Sequence, residues 1–136
     1  MARILAFDYG KVRTGIAVTD ELQIIASGLT TVNTKEVYKF IDSYLKTDTV
    51  ELFVVGEPKQ MNGQHSECEI LIVPFLKKLK NKFPHIPIIR MDERFTSKMA
   101  FKSMIYSGLG KKKRKNKALV DEISATIILQ TYLDQT

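Results

Sequence analysis

The sequence has few of the features that would place a protein outside a reducing compartment or in a membrane. Cys68 is the only cysteine among 136 residues, so an intrachain disulfide is excluded. The first apolar run is broken at Asp8 and is too short for the hydrophobic part of a secretory signal. No apolar stretch approaches the roughly 20 residues of a membrane span. We therefore expect a cytoplasmic protein that does not enter a membrane.

The chain also lacks internal repeats, low-complexity segments and any linker rich in proline, glycine or serine. Hydrophobic residues make up 44% of the sequence and charged residues 26%, which is ordinary for a globular protein. A chain of this length can bury a single core. We expect residues 1–136 to form one domain.

Negative charge is the scarcer sign, with 15 Asp and Glu against 21 Lys and Arg and a net charge of +6. One short run holds the whole excess, and its basic residues are Lys111, Lys112, Lys113, Arg114, Lys115 and Lys117. Solubility does not require charge in one place, so the clustering favours an anionic partner, of which nucleic acid is the commonest. Because Gly108 and Gly110 precede the run and like charges repel, we expect a mobile loop that binds phosphates.

Hydrophobic periodicity predicts the element order β-β-β-α-β-α-β-α-α. The predicted strands are Ile4–Phe7, Gly15–Val18, Gln23–Val32, Leu52–Val55 and Ile86–Met91. The first predicted helix follows a cap at Thr34. The other three extend from Ser66 to about Lys82, from Thr96 to Gly108, and from Ala118 to about Leu133. Three strands close in sequence pair antiparallel, and alternating helices and strands then give parallel pairs. The fold class is α/β, a mixed sheet with helices on its faces.

Acidic residues stand where ligand sites form in such sheets, beyond the carboxyl ends of parallel strands. Asp8 ends the first strand, Glu57 follows the fourth, and Asp92 and Glu93 follow the fifth. An acid after a strand is often only a turn or cap residue, which is the alternative for Asp92. Asp121 is the fourth candidate and lies in the last predicted helix.

The helical spacing of Asp121 predicts that its side chain faces the sheet. Asp121 shares a stripe with Ala125, Ile128 and Tyr132, and such a stripe normally packs on the sheet. The neighbouring Glu122 is expected to be solvated.

Asp8, Glu93 and Asp121 together indicate a metal-dependent phosphodiesterase. Several oxygen ligands with little nitrogen or sulfur suit Mg²⁺ or Mn²⁺. Two such ions can activate a water and stabilise the leaving oxygen of a phosphodiester. Arg13 and Arg94 lie close to these acids in the sequence, where each could neutralise a phosphate or pair with a carboxylate.

Four segments of the sequence resemble the four successive motifs of the YqgF (RuvX) family. They are "DYGKVRTGIAVTD", "VVGEPKQMNG", "MDERFTS" and "KKRKNKALVDEISATIILQTYL". The resemblance implies an RNase H-like fold whose catalytic and metal-binding acids are Asp8, Glu93 and Asp121. In one departure, Glu57 stands where the family typically has Leu. Many RNase H-like resolvases carry their second acid at that strand end, so Glu57 is an alternative to Glu93.

The resemblance leaves several functions open. The first is an endonuclease on structured nucleic acid that matures the 5′ end of pre-16S ribosomal RNA, alone or on ribosomal particles. The second is a Holliday junction resolvase on branched DNA, which would need a homodimer rather than a monomer for paired cuts. The third is a module that binds RNA or ribosomes without cutting. A phosphate-binding ATPase is the fourth, but such enzymes need two domains of this kind.

Overall fold

The computed structural model describes residues 2–57, 68–92 and 117–135. The elements are β1 (Arg3–Tyr9), β2 (Arg13–Thr19), β3 (Ala26–Asn33), α1 (Val37–Leu45), β4 (Val50–Glu57), α2 (Cys68–Lys82), β5 (Ile88–Asp92) and α3 (Lys117–Asp134). A single 3₁₀ turn, Thr34–Glu36, leads into α1. The helix predicted at 96–108 and the basic residues at 111–115 lie outside the described residues.

Five strands form one sheet in the order β3-β2-β1-β4-β5. β1 pairs antiparallel with β2, and β2 with β3, because short turns connect them. β4 pairs parallel with β1, and β5 with β4, because helices carry the chain back between them. The mixed sheet predicted from the sequence is confirmed.

The sheet is covered on both faces, and each face has its own hydrophobic core. On the face that α1 and α2 cover, the buried strand residues are Leu5, Phe7, Ile16, Val18, Val50, Phe53 and Val55. On the face that α3 covers, they are Ile4, Ala6, Ala17, Leu52, Val54 and Met91. Neighbouring residues of a strand alternate between these two sets, as the pleat requires, except at the start of β4, where the register shifts between Val50 and Leu52. We refer to them as the α1–α2 face and the α3 face.

The stripe predicted for the last helix does face the sheet. Ala125 and Ile128 are buried in the core of the α3 face, and Tyr132 packs against it. Ser124, the small neighbour of Ala125, is also buried.

The third strand begins at Ala26, later than the predicted start at Gln23. The Asp20 carboxylate accepts hydrogen bonds from the backbone N–H groups of Leu22, Ile24 and Ile25 and so holds the intervening residues in a turn. These bonds, that of Ile25 above all, keep the pKa of Asp20 below its usual value. The alternating pattern missed a turn that a single side chain organises. The fifth strand likewise begins at Ile88 rather than at residue 86.

The predicted helix cap at Thr34 is wrong, and the residue has another role. The cap of the 3₁₀ turn is Asn33, whose side chain accepts a backbone hydrogen bond. The Thr34 hydroxyl donates to the Gly10 carbonyl at 2.6 Å and lies 2.9 Å from the hydroxyl of Thr14. Its backbone N–H donates to the carbonyl of Val12 at 3.0 Å. Thr34 therefore ties the β1–β2 turn to the start of α1.

Two glycines allow α3 to lie directly on β2 and β3. A Cβ added at Gly15 would stand 2.0 Å from the Asp121 carbonyl oxygen, so the backbone of the helix touches the backbone of the strand. A Cβ added at Gly28 would stand 2.5 Å from Glu122 Oε1. Glu122 is therefore half-buried over β3, not solvated as the sequence suggested.

The two glycines make a matched pair for a stability test. Gly15→Ala should destabilise the fold by about 2 kcal/mol or more, because backbone must move away from backbone. Gly28→Ala should cost less, about 1 kcal/mol, because the atoms that the new Cβ meets, from Cγ to Oε1, belong to the Glu122 side chain, which can change its rotamer. Urea denaturation of both variants measures the difference. Equal losses would contradict a backbone contact at Gly15.

Candidate active site

The site is built at the carboxyl end of β1. Asp8 lies two residues after Ala6 on the same strand, so the pleat places it on the α3 face. Across the antiparallel pair its partner is Gly15 of β2. The side chain of Asp8 is half-buried.

Asp121 reaches the same place from the first turns of α3. Its backbone lies against Gly15, the residue that pairs with Asp8. Two acids that are far apart in the chain therefore meet at one glycine. Only a residue without a side chain at position 15 permits this approach.

Arg13 holds the carboxylate of Asp121. Its Nε donates a hydrogen bond to Asp121 Oδ2 at 3.0 Å, which is also an ion pair. Of the two roles that the sequence left open for Arg13, pairing with an acid is the one that the structure contains. The side chains are 37% and 25% exposed, so solvent screens the pair and it contributes less than about 1 kcal/mol.

The turn that carries Arg13 is fixed from two sides. Gly10 lies so close to it that an added Cβ would stand 2.5 Å from the Arg13 carbonyl oxygen. Thr34 binds the same turn through Gly10, Val12 and Thr14. No sequence pattern signals this role, because a threonine before a helix is equally typical of a cap.

The acid that ends β4 lies on the opposite face. Glu57 follows Val55 at the two-residue spacing of the strand, which places it on the α1–α2 face. Its neighbour across the pair is Asp92, the last residue of β5. Asp8 and Asp121 thus lie on the α3 face, with their backbones joined through Gly15, whereas Glu57 and Asp92 lie on the α1–α2 face.

The remaining predicted site residues, Glu93, Arg94 and the basic residues at 111–115, lie outside the described residues. In the sequence Glu93 comes directly after the end of β5, and Lys117 opens α3. Within residues 2–57, 68–92 and 117–135, no three His, Cys, Asp or Glu side chains form a group that could hold a metal ion. Of the three predicted acids, the described residues include Asp8 and Asp121.

An aromatic cluster supports the strand end from the α1–α2 face. Tyr9, the residue after Asp8, stacks on Phe75 of α2 with ring centroids 4.4 Å apart. Phe75 also contacts Tyr38 of α1, and the Lys78 ammonium lies 4.9 Å from the Tyr38 ring. Burial raises the pKa of Tyr9, and burial together with Tyr9 raises the pKa of Tyr38 to about 12. Both phenols therefore stay neutral near pH 7.

No helix in the described part of the chain combines the length and the apolar character of a membrane span.

The strand order β3-β2-β1-β4-β5, with α3 packed on the sheet, defines the RNase H-like class of fold. The fowlpox virus resolvase bound to Holliday junction DNA has this fold, with a TM-score of 0.60 at 12% identity over 98% of this chain and 97% of that one. RuvC from T. thermophilus, in complex with a Holliday junction substrate, has a TM-score of 0.57 at 13% identity over 99% and 96%. Such low identities show the fold alone.

The sequence comparisons identify the family. A family model described as RuvX, Holliday junction resolvase, matches residues 2–135, and the chain belongs to this family. Relatives named "Putative pre-16S rRNA nuclease" are 64% identical in Christiangramia forsetii, over 98% of both chains, and 61% identical in Flavobacterium psychrophilum, over 98% of this chain and 97% of that one. The family predicted from the four motifs is confirmed.

Proposed function

We propose that the protein is a metal-dependent endonuclease that cuts structured RNA at the 5′ end of pre-16S ribosomal RNA. The observation that carries the proposal is the convergence of Asp8 and Asp121 on Gly15, on one face of the sheet. The names of the relatives and the description of the family both indicate a nuclease. The protein would act in the cytoplasm as a single domain, on free precursor RNA or on ribosomal particles.

The donor set fits a hard divalent cation. Asp8 and Asp121 offer carboxylate oxygens, and Glu93 is the proposed third ligand because it directly follows β5, the outer parallel strand. A bound Mg²⁺ or Mn²⁺ would supply a nucleophilic water and neutralise charge on the leaving oxygen. The carboxylates would hold the ion, and without it they would repel the substrate phosphate.

Glu57 is disfavoured as a shared ligand. It extends from the α1–α2 face, whereas Asp8 and Asp121 lie on the α3 face. A side chain at the carboxyl end of β4 would have to reach around its own strand to meet them.

The basic run is proposed as the element that recruits the substrate. Its last residue, Lys117, opens α3 and stands four residues before Asp121 in the sequence. The residues that attract the substrate and those that cleave it would then be neighbours with separate roles. Lysines bind phosphate without metal, whereas the acids repel phosphate unless a metal ion is bound. Arg13 and Arg94 would contact the phosphate backbone of the nucleic acid nearer to the bond that is cleaved.

A Holliday junction resolvase is the second candidate, favoured by the description of the family model. Paired cuts in a junction would require a homodimer, whereas one cut in RNA needs only a monomer. Purified protein with Mg²⁺ or Mn²⁺ should be tested on a precursor rRNA leader and on a four-way DNA junction. Cleavage of the RNA alone supports the first function, cleavage of the junction alone the second, and binding without cleavage a non-catalytic module.

Removing either described acid should abolish cleavage. Asp8→Asn and Asp121→Asn each replace a charged metal ligand by a neutral amide of the same size. Binding of nucleic acid should persist or tighten, because a negative charge near phosphate is lost. Cleavage rates with Mn²⁺ and filter binding measure the two effects separately. Wild-type cleavage by Asp121→Asn would remove that residue from the site.

The second acid can be assigned by comparing two variants at saturating Mg²⁺. Glu93→Gln should be inactive, and Glu57→Gln should cleave at close to the wild-type rate, because Glu57 lies on the other face of the sheet. Circular dichroism confirms that both variants fold. The reverse order of activities would assign the second ligand to the end of β4.

Neutralising the basic run should weaken binding but spare the cleavage step. If half of its six basic residues contact phosphates, substitution of all six by Gln flattens the slope of log K against log [salt] by roughly 2 to 3. The loss should be the same for any sequence, because phosphate contacts carry no base information.

A matched control uses other exposed lysines. Lys77, Lys78, Lys80 and Lys82 lie on α2, away from the α3 face, and their replacement by Gln should leave the slope nearly unchanged. Single-turnover cleavage at saturating protein should change little in either variant. A basic-run variant with an unchanged slope, or as inactive as Asp121→Asn, would refute the recruiting role.

A further inference from the structure

We propose that Arg13 is an internal counter-cation of the metal site. When no metal is bound, Arg13 pairs with the Asp121 carboxylate, and when the ion binds that carboxylate, Arg13 releases it. The inference rests on the proposed function and adds to it a residue that controls metal binding. The observation behind it is the hydrogen-bonded ion pair between Arg13 Nε and Asp121 Oδ2 at 3.0 Å.

The pair lies where the metal ligands meet. Arg13 and Asp8 flank the same β1–β2 turn, and Asp8 pairs with Gly15, against which the Asp121 backbone lies. This packing joins the backbones that carry the two carboxylates on one face of the sheet, and such carboxylates repel each other unless a cation is close. A guanidinium provided by the same turn supplies that charge without any ion from solution.

The position of Arg13 is determined by the fold. Its turn is held by Thr34, which binds the carbonyls of Gly10 and Val12 and the hydroxyl of Thr14. Asp121 is fixed by the contact of its backbone with Gly15. The pair therefore forms from two anchored backbones, and only side-chain rotation is needed to open it.

The strength of the pair suits exchange with a metal. Both side chains are accessible, at 37% and 25%, so water screens the attraction and neither partner is trapped. A divalent ion and a guanidinium on one carboxylate oxygen repel each other. Metal binding should therefore displace Arg13, whose side chain then remains beside the site with its charge available to a substrate phosphate.

The test measures Mn²⁺ affinity without nucleic acid, by electron paramagnetic resonance of the free ion at 0.15 M salt. Arg13→Gln removes the competitor and should bind Mn²⁺ about threefold to fivefold more tightly than the wild-type chain. Lys11→Gln is the control for general charge, because Lys11 is exposed in the same turn. Its effect should stay below about twofold, since salt screens exposed charges.

A double-mutant cycle connects the effect to the contact. In the Asp121→Asn background, Arg13→Gln should no longer change Mn²⁺ affinity, because the carboxylate for which it competed is absent. Two results together support the proposal. Asp121→Asn should bind Mn²⁺ more weakly than the wild-type chain or not at all, and only Arg13→Gln should show a higher Mn²⁺ affinity.

Other outcomes separate the inference from the function on which it rests. If wild type binds no Mn²⁺, or Asp121→Asn binds as wild type does, the metal site and the inference both fail. If binding depends on Asp121 but Arg13→Gln is unchanged or weaker, only the counter-cation role is refuted. Equal gains in Arg13→Gln and Lys11→Gln would also refute it, since the effect would then be general charge.

Discussion

The contact between the backbone of α3 and Gly15 of β2 is the constraint on which the site depends. Gly15 pairs with Asp8 across the sheet and touches the Asp121 carbonyl, so a single position without a side chain lets the backbones of the two acidic residues approach each other. Backbone contact of this kind is rigid, because neither partner can relax by changing a rotamer. The small residues Ser124 and Ala125 extend the close approach along the helix.

Charge is divided unevenly along the chain. The basic excess of the whole sequence lies in residues 111–117, whereas Asp8 lies near the end of β1 and Asp121 in α3. Under the proposed function, the basic run would attract a polyanion, and the carboxylates would accept it only with a cation present. Arg13 is a cation that contacts a carboxylate, so the same proposal lets it exchange between that carboxylate and a phosphate.

The face away from the acids has a supporting role. Tyr9 follows Asp8 at the end of β1 and stacks on Phe75. This contact supports the end of the strand from the α1–α2 face. Thr34 does the same for the turn that follows, through three hydrogen bonds. Two solved structures share this fold at only 12% and 13% identity, so very different side chains are compatible with the scaffold.

The sequence by itself determined the mixed sheet, the buried stripe of the last helix and the acids at strand ends, because these depend on periodicities of two and 3.6 residues that are local. Four motifs were enough to identify the family. Other features were decided by contacts between residues distant in the chain. The pairing of Arg13 with Asp121, the anchoring by Thr34, and the burial of Glu122 over Gly28 each join segments at least 20 residues apart. The face of Glu57 likewise depends on the register of β4 in the sheet, since a shift of one residue would reverse it.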